Sequence, residues 1–157
     1  VTGMNILALC TSNSARSILL EGILNSLGQG GVTAFSAGSH PGGTVHPQAL
    51  RLLTEHGHDT ARARSKSWDI FAEPGAPQMD LVITVCDAAA AETCPFWPGA
   101  PLRCHWGVPD PAALPPEAQE AGFNAAYTLL RRRAEALLAL SPGAITASEL
   151  ARIGALE

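Results

Sequence analysis

Apolar positions along this chain fall into two kinds of run. Short, nearly continuous ones occupy Asn5–Leu9, Val32–Ala37, Leu81–Val85 and Leu102–Trp106. Their length predicts four strands, and the unbroken Leu81–Val85 run predicts one covered on both faces. Elsewhere the apolar residues recur at three- and four-residue spacing. Ile18, Leu19, Leu20, Ile23, Leu24 and Leu27 share a helical face closed by Gly28. Pro47 suits the first turn of a second helix, with Ala49, Leu50 and Leu53 on one face and Gly57 as terminator. Glu117–Leu140 predicts the longest helix, buried through Ala126, Leu129, Leu130, Leu137 and Leu138. Thr146-x-x-Glu149 is a capping-box start for a last helix. A short element is expected around Trp68–Phe71, and another, capped by Asp87, over alanines 88–91 before Cys94-Pro95 and Pro98 break it. Strands alternating with helices predict an α/β fold: an open four-stranded parallel sheet with helices on both faces, one domain over residues 1–157.

The junction of the first strand and helix carries the candidate chemistry. Cys10-Thr11-Ser12-Asn13-Ser14-Ala15-Arg16-Ser17 leaves a cysteine at a strand end and an arginine at a helix start. A loop entering a helix presents unpaired N–H groups and the positive end of the helix dipole, a concave site for a tetrahedral oxyanion. Arg16 adds a planar, charged fork for two of the anion's oxygens. The same field favours thiolate over thiol at Cys10. Ser17 or Ser14 is placed to donate to the sulfur, and Asn13 to brace the loop. The competing reading is a core cysteine with a surface arginine nearby.

Topology strengthens the first reading. Sites in open parallel sheets form beyond the carboxyl ends of the strands. Those positions belong to Cys10, Gly38-Ser39, Cys86 and the Gly107–Asp110 loop, so a nucleophile, a second thiol and a carboxylate converge on one edge. Asp110, between two prolines, either shapes a turn or acts as a general acid to an oxygen leaving the bound anion. Cys86 is either a core residue or part of the site. Cys94-Pro95, eight residues on, invites a thiol-exchange reading. Cys104, within a strand, is expected to be buried and inert.

Composition narrows the classes. With 157 residues, 46% hydrophobic content and a formal charge of −4, the chain reads as an acidic globular protein. Arg131-Arg132-Arg133 is its one basic run, expected on a solvated helix face, so no nucleic-acid footprint is predicted. No apolar run approaches about 18 residues and no signal-peptide pattern is present, which predicts a cytoplasmic protein without a membrane partner. Four cysteines are then expected to be reduced at rest. Cys86, Cys94, Cys104 and His105 lack the paired spacing of zinc ligands, so no metal is expected.

These residues resemble the low-molecular-weight protein tyrosine phosphatase superfamily: Cys10–Ser17 after an amino-terminal strand, Ser36-Ala37-Gly38, and the late Asp110-Pro111. Within it, Val82-Ile83-Thr84-Val85-Cys86-Asp87, Cys94-Pro95 and His105–Pro111 are similar to the thioredoxin-coupled arsenate reductases. Ala112-Ala113-Leu114 follow Asp-Pro where phosphatases carry an aromatic residue, which argues against a tyrosine pocket. The resemblance implies that Cys10 attacks arsenate held by Thr11–Ser17 while Asp110 protonates the departing oxygen. Cys86 then attacks Cys10, arsenite leaves, and Cys94 carries the disulfide onward to thioredoxin, or to glutaredoxin and glutathione, with no bound cofactor. An intact helix over residues 86–94 would hold its ends about 12 Å apart, beyond disulfide reach, so that segment is expected to rearrange. Two other functions fit parts of the pattern: a phosphatase using a phosphocysteine intermediate, and a non-catalytic oxyanion-binding module.

Overall fold

The computed structural model describes residues 3–87, 89 and 101–157; Cys94 and most of the element expected over alanines 88–91 lie outside them. Strand β1 (Met4–Cys10) is central, with β2 (Val32–Gly38) on one side and β3 (Leu81–Thr84) on the other. Strand β4 (Leu102–His105) lies beyond β3, and all the pairings are parallel. The register sets Cys10 beside Gly38, Leu9 beside Thr84 and Thr84 beside His105, so the carboxyl ends finish at one level. β3 and β4 each stop one residue short of the expected end. Val85 and Trp106 still donate to Leu9 O and Thr84 O at 2.9 and 2.7 Å.

Alternation along β1 divides the interior. Ile6, Ala8 and Cys10 join the larger core, while Leu7 and Leu9 join a smaller one with Trp68, Phe71 and Met79. Helix α1 (Arg16–Leu27) is buried around most of its girth and packs on β1, β2, α2 (Pro47–Glu55) and α3 (Pro116–Leu138). That enclosure draws two polar residues, Ser17 and Glu21, inside.

Two helices, α2 and α3, differ from the sequence reading. In α2 the buried residues are Ala49, Leu52 and Leu53, with Leu50 half-buried. In α3 the stripe runs through Phe123, Ala126, Tyr127, Leu130, Ala134 and Leu137, leaving Leu129 and Leu138 on its flanks. Arg133 lies on that stripe at 4% exposure, against the expected solvated face. It sits three residues after Leu130 and four before Leu137, and nearby carbonyls satisfy its donors. Arg131 and Arg132 remain more open, and Arg131 pairs with Glu135.

Helix α4 (Ala147–Gly154) is capped by Thr146, whose hydroxyl accepts from the Glu149 N–H at 3.2 Å. The Glu149 carboxylate turns instead to Arg152. Among the described residues no helix is long and apolar enough to cross a membrane.

Candidate active site

Peptide planarity explains how the Cys10–Arg16 loop becomes a concave cradle of backbone N–H groups. Three of its carbonyls are tied outward: Thr11 O accepts from His40 N, Ser12 O from Gly42 N and the Ser65 hydroxyl, and Ser14 O from His46 N. In a trans peptide the following N–H points the opposite way, so the amides of Ser12, Asn13 and Ala15 turn inward. Asn13 N–H meets the Cys10 sulfur at 3.2 Å. The loop achieves this curvature with Asn13 at φ +49°, a left-handed value that asparagine tolerates better than most residues. Ala15 occupies the helix cap and has no side-chain acceptor, so the first amides of α1 are left without a side-chain cap.

Gly38, opposite Cys10 in the register, makes room for this loop. A Cβ there would stand 2.4 Å from Thr11 O and 3.0 Å from Asn13 Cβ. The sequence placed Gly38 at the site's edge, but only the packing shows that its missing side chain is the requirement.

A hydrogen-bond chain reaches the Cys10 sulfur from the strap at Ser65–Ser67. Lys66 N–H donates to Asn13 Oδ1 at 2.9 Å, which fixes the amide's orientation. Asn13 Nδ2 then donates to Ser17 Oγ at 2.8 Å. A Cys10 thiolate can only accept, so in that state Ser17 donates its hydrogen to the sulfur, 2.9 Å away, while its oxygen accepts from Asn13. Ser14 instead bonds Ser12, so Ser17 is the serine that faces the sulfur.

Around the cradle, Thr11, Ser12 and Arg16 share a cavity of about 660 Å³ with Cys86, Val108 and Asp110. Cys10 itself is 2% exposed and Cys86 4%. The Cys86 sulfur lies 3.5 Å from the hydroxyl of Thr11, the residue after Cys10, and accepts from Ala89 N–H at 3.4 Å. Arg16 Nη1 donates to Val108 O at 2.8 Å and Nη2 stands 3.6 Å from Asp110 Oδ2. The other Asp110 oxygen accepts from Ala112 N–H at 3.0 Å. Asp110 therefore shapes its turn through Oδ1, while Oδ2 lies beside Arg16 and the residue lines the cavity.

Sequence reasoning missed the buried ionic group behind the loop. Ser36 donates to Glu21 Oε1 at 3.0 Å, Lys66 Nζ donates to Ser36 at 3.1 Å, and Lys66 lies 3.9 Å from Glu21 Oε2. Burial pushes the Glu21 carboxyl up, against the pull of Lys66 and the Ser36 hydrogen bond. Burial likewise pulls the Lys66 ammonium down, partly offset by Glu21. A polar, basic stretch over residues 58–67 gave no local signal that Lys66 turns inward.

Cys104 is half-buried, and burial pushes its thiol up to about 12. It stands apart from the cavity lining. No cluster of possible metal ligands occurs among the described residues.

A family model for low molecular weight phosphotyrosine protein phosphatases matches residues 5–150, and the chain belongs to that family. Among its curated relatives is an arsenate reductase of Halalkalibacterium halodurans, 36% identical over 104 residues, 66% of this chain and 71% of that one. A solved arsenate reductase in the phosphate binding state has a TM-score of 0.70 at 27% identity, covering 87% of this chain and 97% of its own. A low molecular weight protein tyrosine phosphatase from T. tengcongensis has a TM-score of 0.60 at 26% identity, covering 82% and 95%.

Proposed function

We propose that this chain is an arsenate reductase that uses Cys10 as nucleophile and Cys86 and Cys94 as a disulfide relay. The observation that carries the reading is the second thiol: Cys86 lines the same cavity as the anion cradle, against Thr11. Ester hydrolysis through Cys10, Arg16 and Asp110 has no use for it. The likeness to arsenate reductases supports the same choice.

In this reading arsenate docks on the inward amides of Thr11–Ser17 and the Arg16 fork. The Cys10 thiolate attacks arsenic, and an arsenate oxygen departs as water after taking a proton from Asp110. Cys86 then attacks the Cys10 sulfur. The electron pair of the sulfur–arsenic bond passes to arsenic, reducing As(V) to As(III), and arsenite leaves. Cys94 next attacks Cys86 and frees Cys10 as a thiolate. The resulting Cys86–Cys94 disulfide is reduced by thioredoxin, the donor that a disulfide within one chain favours, or by glutaredoxin and glutathione. Both routes belong to a reducing compartment such as the cytoplasm.

The test is arsenate-dependent NADPH oxidation with thioredoxin and its reductase, run beside hydrolysis of an aryl phosphate. Cys10→Ser should abolish both activities. Cys86→Ser and Cys94→Ser should abolish arsenate turnover and leave ester hydrolysis. Recovery of Cys94→Ser by glutaredoxin and glutathione would move the enzyme to that donor. A wild type that hydrolyses the ester but turns over no arsenate with either system would make it a phosphatase. Tight phosphate binding with no turnover of either substrate would make it a binding module.

A further inference from the structure

Arg133 is buried on α3, and its donors all go to backbone carbonyls. Nη1 reaches Gly107 O at 3.1 Å, while Nε and Nη2 reach Leu156 O at 3.3 and 3.0 Å. Among the described residues it makes no ion pair. Desolvating an unpaired guanidinium is unfavourable, and a methionine could occupy similar space without that penalty. What the guanidinium alone supplies is the bond to the two carbonyls.

Gly107 opens the loop that carries Asp110. The peptide between Gly107 and Val108 is held at both polar atoms: its oxygen by Arg133, its N–H by Val85 O at 3.1 Å. The next carbonyl, Val108 O, is gripped by Arg16. The Asp110 side chain is 42% exposed, tied through Oδ1 only within its own turn and 3.6 Å from Arg16 through Oδ2, so neither contact fixes where the loop begins. Its placement over the anion cradle depends on where the loop begins. Trp106, just upstream, is fully buried and donates to Leu150 O at 3.2 Å.

We infer that Arg133 is a positioning residue for the general acid, fixing the start of the Gly107–Pro111 loop so that Asp110 meets the departing oxygen. It touches neither substrate nor reacting atoms, and the inference rests on Asp110 acting as the acid. A displacement of about 1 Å at a reacting group can cost about a hundredfold in rate, so one lost carbonyl anchor is enough to matter.

A general acid matters in proportion to how poorly the leaving group departs, which separates a positioning role from general damage to the fold. The experiment compares phenyl phosphate with 2,4-dinitrophenyl phosphate for wild type, Arg133→Met, Arg133→Lys and Asp110→Asn, with thermal unfolding of each. Arg133→Met should lose about tenfold or more in kcat/KM on phenyl phosphate and less than about twofold on the dinitrophenyl ester. Arg133→Lys, which keeps a donor for Gly107 O, should recover part of that loss, and it decides the matter if the methionine variant does not fold. Equal losses on both esters, or none, overturn the role of Arg133. Asp110→Asn without leaving-group dependence overturns the acid assignment itself. A wild type inert to both esters removes the shared Cys10–Asp110 chemistry and this inference with it.

Discussion

The Ser17 hydroxyl stands 2.9 Å from the Cys10 sulfur, its oxygen already occupied by the Asn13 amide at 2.8 Å. A thiolate at Cys10 can only accept, so against it the serine is the donor. A hydrogen bond to a charged group contributes about 1.5–3 kcal/mol, equivalent to about a ten- to hundredfold change in rate. Ser17→Ala should lower kcat/KM by that factor for arsenate and for an aryl phosphate alike, since both begin with Cys10. Steady-state kinetics on the two substrates checks this, and an unchanged rate would exclude Ser17 from activating the sulfur.

Gly38→Ala tests the fit between β2 and the anion loop. The new methyl would press on Thr11 O, backbone that cannot move aside without carrying the inward amides with it. Overpacking of this kind costs about 1–3 kcal/mol. The variant should unfold at lower urea, and phosphate added to compete for the anion loop should inhibit it several-fold more weakly than the wild type. Unaltered inhibition by phosphate would show that the loop tolerates displacement.

Glu21 and Lys66 form a buried pair whose members are stranded if separated. Lys66→Met should destabilise the fold by about 3–5 kcal/mol, because it leaves the Glu21 carboxylate without its cation. The double variant Glu21→Leu/Lys66→Met should be less destabilised than Lys66→Met alone. A double-mutant cycle in urea measures this. Simple additivity would show that the two side chains are not coupled.

The same carboxyl makes a pH prediction. Burial raises Glu21 in the folded chain above its ordinary value of 4.5, so the native state holds its proton longer than the unfolded state does. As pH rises from about that value toward the raised one, unfolding releases a proton and this group's contribution to stability falls. Urea midpoints taken between pH 4 and neutrality should show that decline in the wild type, and Glu21→Gln should remove its share. An identical slope in both proteins would exclude Glu21 as its source.

Cys104 provides a contrast among the thiols. With its thiol pushed up to about 12, it carries almost no thiolate at pH 8. Cys104→Ser should leave arsenate turnover unchanged, and mass spectrometry after brief iodoacetamide treatment of the folded protein should find Cys104 unmodified. Loss of turnover in that variant would bring a fourth thiol into the chemistry.

The local pattern of the chain determined its strands, its principal helices and the chemistry of the Cys10–Ser17 loop. Apolar periodicity and a strand-to-helix junction are properties of neighbouring residues. The convergence of Cys86 and Asp110 on that loop followed as well, because parallel strands of matched register must end on one edge. Which polar residues turn inward was decided only by tertiary packing. Lys66 lies in a basic stretch and Arg133 in a run of three arginines, and nothing beside either one distinguishes it from a solvated neighbour. Each is buried because distant acceptors meet it: Ser36 and Glu21 for the lysine, Gly107 and Leu156 for the arginine. Leu50, Leu129 and Leu138 shifted for the same reason, since a helix's rotation is set by the surface it packs on. A helical period defines a stripe, and only the partner decides its edges.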